Sequence, residues 1–215
     1  MKIAVLGGTF NPIHLGHLAL ADDVCIEASY DKIIFVPSYI SPHKEIKNPL
    51  SAQKRLAMVK KACAQDKRFI VEDCEIKRQG VSYTYDTICF LEKKYKNVLE
   101  DKIGIILGED LHSTFHLWYK AEELAEKCNL ILAQRPLSEV SVQFKNEPKG
   151  QYKNADFCKS EELFKNAIRI NNPLISISSS EIRERVDCGK SFKYLVPESV
   201  FKYIKKGNLY GYTQS

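Results

Sequence analysis

Short apolar runs separated by amphipathic stretches set the pattern of this chain. Ile3 to Leu6 is apolar and ends at Gly7 and Gly8, as expected of a buried strand entering a turn. Leu15, Leu18, Ala19, Val24 and Ile26 then recur at roughly helical spacing, so strand, glycine turn and helix together make the opening half of a βαβ unit. A second strand is predicted at 32–36, stopped by Pro37. Ser51 is placed to cap a helix over 52–64, with Leu56, Val59 and Ala62 or Cys63 as its buried stripe and a scaffold role. Phe69 to Val71 reads as the third strand, 102–107 as the strongest central one and 129–133 as the fifth. Between them, a helix running to Tyr95 is expected to be capped by Ser82 or Thr84. Residues 137–160 turn polar and irregular. Ile175 to Ile177 reads as a last short strand, and Val200, Tyr203 and Ile204 belong to a closing amphipathic helix with Pro197 near its first turn.

Strands alternating with helices specify an α/β fold with parallel pairing. The expectation is a Rossmann-like three-layer sandwich with a mostly parallel sheet, one domain spanning 1–215 and a helical C-terminal portion over about 178–210. Its topological switch should fall between the strands ending at Leu6 and Leu107, and in open α/β sheets ligands bind at that crevice.

Composition narrows the classes. A chain of 215 residues with 44% hydrophobic and 27% charged residues can bury a full core. The net charge of +5 suits a protein that handles phosphates and is too mild and dispersed to call for a nucleic-acid partner. Seven cysteines are an odd number with no C-x-x-C pair, as expected of reduced thiols in the cytoplasm. Four apolar residues between Lys2 and Gly7 are too few for a signal peptide, and no apolar run is long enough for a membrane span. Assembly with further copies of the chain is compatible with the sequence, which does not specify it.

The first turn carries the candidate chemistry. Glycines allow a ligand close to the backbone, and the N–H groups opening a helix favour anions. His14 and His17 stand three apart, so both rings fall on one face of the first helical turn, with Gly16 adding no side chain between them. The run Gly7-Gly8-Thr9-Phe10-Asn11-Pro12-Ile13-His14-Leu15-Gly16-His17 resembles the G-G-x-F-D-P-x-H-x-G-H signature of the nucleotidyltransferases that share H-x-G-H with class I aminoacyl-tRNA synthetases, Asn11 standing where Asp is common. The resemblance implies a nucleotidyltransferase fold, of the adenine nucleotide alpha-hydrolase-like kind, in which this turn and its histidines bind ATP phosphates.

Later stretches are similar to the bacterial nicotinate-nucleotide adenylyltransferases in particular. Pro37 to Lys44 resembles their P-x-x-x-P-P-H-K loop, which implies that His43 and Lys44 reach substrate phosphates and that N–H groups near Tyr39 meet the pyridine carboxylate. Ser82-Tyr83-Thr84-Tyr85-Asp86-Thr87 resembles S-Y-T-x-D-T, which implies an N–H from Thr84 to the same carboxylate. Gly108-Glu109-Asp110 matches G-x-D, with Asp110 on the nucleotide ribose and Trp118 stacked on the pyridine. Arg135-Pro136 matches an R-P pair beside the adenine. Ser178-Ser179-Ser180-Glu181-Ile182-Arg183 resembles the I-S-S-T-x-I-R segment that holds the β and γ phosphates through residues such as Ser178, Ser179 and Arg183. His112 and His116, four apart, could mimic metal ligands beside Asp110, but with no further ligand in view they are expected on a plain helix surface and no protein-held metal is expected.

The activity implied is transfer of AMP from ATP to nicotinate mononucleotide, giving nicotinate adenine dinucleotide and pyrophosphate. His14, His17, Lys44 and Arg183 would act on the phosphates, with Mg²⁺ carried on ATP. Another acceptor on the same fold, nicotinamide mononucleotide or phosphopantetheine, is the alternative. A noncatalytic nucleotide sensor is the rival from a different class.

Overall fold

The computed structural model describes residues 1–40, 50–134, 161–173 and 175–213. Among them, six parallel strands form one sheet in the order β3-β2-β1-β4-β5-β6: β1 Ile3–Gly8, β2 Lys32–Pro37, β3 Phe69–Val71, β4 Gly104–Gly108, β5 Asn129–Ala133 and β6 Ile168–Ile170. The order reverses between β1 and β4, so the switch point lies where expected.

Side chains along each strand alternate between two cores, because successive Cβ atoms leave opposite faces. Ala4, Leu6, Ile33, Phe35, Ile106 and Ile131 enter one core. Ile3, Val5, Ile34, Val36, Ile105, Leu107, Leu130 and Leu132 enter the other. Helix α1 (Leu15–Glu27) and α2 (Ala52–Cys63), with α6 (Ser179–Asp187) and α7 (Glu198–Lys206), cover the first face. Helices α3 (Cys74–Arg78), α4 (Thr84–Tyr95) and α5 (Ala121–Lys127), with the 3-10 segment Glu109–Leu117, cover the second. A fully buried Leu or Ile contributes about 2 kcal/mol, and both faces carry several, which is why the strands read as nearly continuous apolar runs.

Several expected details differ. The sixth strand is Ile168–Ile170 rather than 175–177, since 168–170 pairs in register with Ile131 to Ala133 whereas the later segment meets no strand. In α1 the buried residues are Leu20, Ala21, Val24 and Cys25, while Ile26 is 69% exposed and Leu15 is exposed. The first turn of α1 is held to the rest of the fold, where Leu15 N–H donates to the Leu195 carbonyl at 3.0 Å. In α2 the buried face is Ala52, Arg55, Met58, Val59, Ala62 and Cys63, with Leu56 only half-buried. Ser51 does cap it, accepting from Lys54 N–H. The cap of α4 is Tyr83, without a side-chain bond; Ser82 is turned instead towards the loop after β2. Arg135 and the segment holding His43 and Lys44 lie outside the described residues.

Candidate active site

The carboxyl ends of β1, β2 and β4 are neighbours in the sheet, and each leads into one predicted substrate segment. After β1 the chain turns through Gly7, Gly8, Thr9 and Phe10. Phe10 takes a left-handed backbone (φ 49°) and is buried, its ring lying over Gly8 so closely that a Cβ there would meet it at 3.3 Å. The Asn11–Pro12 bond is cis, and His14 is the N-cap of α1.

The two histidines act as a unit. His14 N–H donates to His17 Nδ1 at 3.2 Å, and the rings stack with centroids 3.7 Å apart. Phe10 meets His17 edge-on at 5.0 Å. With Nδ1 accepting, a neutral His17 carries its proton on Nε2 and presents a donor there. A Cβ at Gly16 would stand 3.2 Å from His14 Nδ1, so a side chain there would press on that ring. The H-x-G-H spacing is thus read out as two stacked imidazoles at a helix start.

The segment from Ser178 to Arg183 is bonded directly to this turn. Ser179 Oγ donates to the Pro12 carbonyl at 2.8 Å, and Arg183 donates to the Asn11 carbonyl at 2.8 Å and to Ser180 Oγ at 3.0 Å. Ser178 caps α6 through its side chain, accepting from Glu181 N–H. Residues nearly the full chain apart therefore form one lip, with the opening turns of α1 and α6 side by side. Tyr210 completes it, its hydroxyl donating to Asn11 Oδ1 at 2.8 Å. This tyrosine also holds a left-handed backbone (φ 60°), and burial pushes its phenol well above the ordinary range.

Across the switch, Gly108 is buried at the end of β4, and Asp110 is exposed in the first turn of the 3-10 segment. Trp118 closes that segment, half-buried against Phe115 with ring centroids 5.2 Å apart. Its neighbour Tyr119 stacks on Tyr83 at 4.9 Å, which brings the Trp118 region to the start of α4 and so to Thr84. Tyr39, at the end of the β2 strand, joins the same side: its N–H donates to Ser82 Oγ at 3.2 Å, Ser82 N–H donates to the Ile40 carbonyl, and Ile40 bridges to Val81. The Tyr39 N–H is thereby bonded within the protein, and Thr84 opens α4 two residues after Ser82.

Behind that wall stand groups that the sequence pattern did not single out. Glu75 is buried and accepts from Thr87 Oγ1 at 2.6 Å, with Ser82 also bonded to it; burial raises its carboxyl above the usual range despite these bonds. Arg78 donates to the same Thr87 hydroxyl. Asn172 forms two bonds with the backbone of Gln134, immediately before Arg135, at 2.8 and 3.0 Å. Arg55, only 2% exposed, donates to the carbonyls of Thr9, Ser38, Tyr39 and Leu50. Its signal in the sequence was a lone arginine at the inward positions 52, 55, 59 and 62 of an otherwise apolar helix stripe.

A strand-turn-helix lip at a parallel-sheet switch is the architecture of a nucleotide-binding α/β protein, and similarity to known proteins makes the class a nucleotidyltransferase. Residues 5–185 match the cytidylyltransferase-like family, to which the chain belongs. Within it the chain sits among the nicotinate-nucleotide adenylyltransferases: it is 38% identical, over 98% of its length and 95% of the relative's, to a protein of Borrelia garinii subsp. bavariensis named "probable nicotinate-nucleotide adenylyltransferase". The fold matches the nicotinic acid mononucleotide adenylyltransferase of Plasmodium falciparum complexed with APC (TM-score 0.71, 21% identity, 99% of this chain and 98% of that one). It matches the same enzyme complexed with NaAD at TM-score 0.70 and 22% identity, with the same coverage.

Proposed function

We propose that this protein transfers AMP from ATP to nicotinate mononucleotide, forming nicotinate adenine dinucleotide and pyrophosphate. The observation that carries the reading is the joined phosphate lip, in which Ser179 and Arg183 bond the Asn11–Pro12 turn that carries His14 and His17. Such a lip is built for a polyphosphate rather than a single phosphate, since it offers two helix starts, an imidazole pair and a forked cation together.

The acceptor's phosphate oxygen is an anion at neutral pH, so it attacks the α-phosphorus of ATP without a general base. As that bond forms, the bond from the α-phosphorus to the bridging oxygen breaks, and pyrophosphate leaves with the electron pair. Catalysis is positioning and charge neutralisation. His17 Nε2–H donates to the phosphates, His14 holds the His17 ring in the required tautomer, and Arg183 neutralises the leaving pyrophosphate. Gly7, Gly8, Thr9 and Phe10 give the close-approach turn, Ser178 and Ser179 the second one, and Asp110 accepts ribose hydroxyls beside Gly108. By family resemblance Arg135 would bind beside the adenine, and His43 and Lys44 the acceptor phosphate, all three lying outside the described residues. Thr84 and Trp118 take the pyridine. Among the described residues no three His, Cys, Asp or Glu side chains gather to hold a metal, and Mg²⁺ fits this donor set as an ion carried on the ATP oxygens and water. It would supply further neutralisation of the phosphate charge.

Pyrophosphate release with ATP, Mg²⁺ and nicotinate mononucleotide tests the assignment. Turnover that strongly prefers this acceptor over nicotinamide mononucleotide supports it. Turnover only with a different phosphate acceptor would replace the substrate and keep the reaction class.

A further inference from the structure

Arg55 lies in the buried face of α2, where an apolar residue is expected, and it bonds no carboxylate among the described residues. Its guanidinium spends four of its five N–H groups on main-chain carbonyls. Nε donates to Leu50 at 3.2 Å, one terminal nitrogen to Thr9 at 2.6 Å, and the other to Ser38 at 2.6 Å and Tyr39 at 3.1 Å. Thr9 belongs to the ATP-side turn after β1. Ser38 and Tyr39 open the acceptor-side loop after β2, and Leu50 follows the far end of that loop. A buried cation costs stability unless it is fully bonded, and desolvation indeed pulls this guanidinium below its ordinary range. Fixing one α2 helix to a core needs only an apolar side chain there. A rigid fork spanning three separate segments does something else: it fixes their mutual spacing.

The geometry points to Arg55 as the positioning residue that sets the distance between the donor and acceptor loops, and hence between the attacking phosphate oxygen and the α-phosphorus. This rests on the reading above that the two loops hold ATP and the pyridine mononucleotide. The sheet joins the two segments as far as the Ser38 N–H bond to the Gly8 carbonyl, at 2.9 Å, and Arg55 carries the connection one residue further on each side, to Thr9 and Tyr39.

Arg55→Lys keeps the charge, but one ammonium cannot reach carbonyls on three segments. Steady-state kinetics of this variant, at a temperature where circular dichroism shows it folded, should give kcat lower by roughly 10²-fold, as for a misplacement of about 1 Å, with the KM values for ATP and nicotinate mononucleotide moved much less. Arg55→Ala leaves a slot of guanidinium shape. Guanidinium at about 20 mM, far below its denaturing range, should raise its kcat at least several-fold, while methylammonium at the same concentration should not. Folded Arg55→Lys with kcat within about twofold of the parent would overturn the assignment. So would Arg55→Ala that loses activity only in proportion to its unfolded fraction and gains nothing from guanidinium. A parent protein inactive on this substrate pair would refute the acceptor instead, and the clamp would then be read in the same variants with whichever phosphate acceptor the parent turns over.

Discussion

His17 Nδ1 accepts the backbone N–H of His14 at 3.2 Å while the two rings stack at 3.7 Å, so the cap of α1 leaves the proton of a neutral His17 on Nε2. Replacing His17 by Ala removes the Nε2–H donor proposed to face the transition state and should lower kcat by roughly 10²-fold, with a smaller change in KM. Pyrophosphate release measures it, and an unchanged kcat would remove His17 from the mechanism.

Arg183 bridges α6 and the Asn11 carbonyl with a planar fork. Arg183→Lys retains charge and loses one arm, so kcat should fall by about tenfold or more while the protein unfolds at nearly the parent temperature. Equal kcat in the two proteins would show that charge alone suffices there.

Tyr210 satisfies Asn11 Oδ1 in a site where Asn11 is 1% exposed, and Asn11 Nδ2 is buried with no hydrogen-bond partner among the described residues. Tyr210→Phe leaves that amide with neither bond. The loss should be about 1–3 kcal/mol, or several degrees in Tm for a chain of this size. Denaturant unfolding reads it directly; stability equal to the parent's would mean that the latch is redundant.

Glu75 has a carboxyl raised chiefly by burial. A group whose folded pKa exceeds its unfolded value adds stability below the unfolded value and loses it as pH rises through the folded one. Relative to Glu75→Gln, the parent should therefore be more favoured at pH near 4.5 than at pH 8, where the variant should match or exceed it in Tm. A parent advantage that grows with pH would reverse the assigned direction.

Burial raises the thiols of Cys25 and Cys74 to about 11 and those of Cys63 and Cys128 to about 12. At pH 8 they stay protonated and inaccessible, whereas Cys188 is exposed. Among the described cysteines, a thiol reagent on the folded protein should modify Cys188 first, and mass spectrometry of its peptides identifies the site. Early modification of Cys63 would contradict the packing of α2.

The sequence by itself determined the first five strands, their parallel pairing, the switch point and the two motifs that resemble phosphate-binding segments. These are local properties: an apolar run stopped by glycine, two histidines three apart, serines opening a helix. What it left undecided were features that depend on the third dimension. Which face α1 turns inward depends on packing, including the bond from Leu15 N–H to the Leu195 carbonyl 180 residues away in the chain. The edge strand at Ile168 is too short and too exposed to carry a pattern, and only pairing with β5 makes it a strand. Arg55, Glu75 and Tyr210 look like ordinary scaffold or surface residues in one dimension. Their roles come from which carbonyls, hydroxyls and amides the packed layers leave within hydrogen-bond reach, and buried polar groups must find partners wherever the fold puts them.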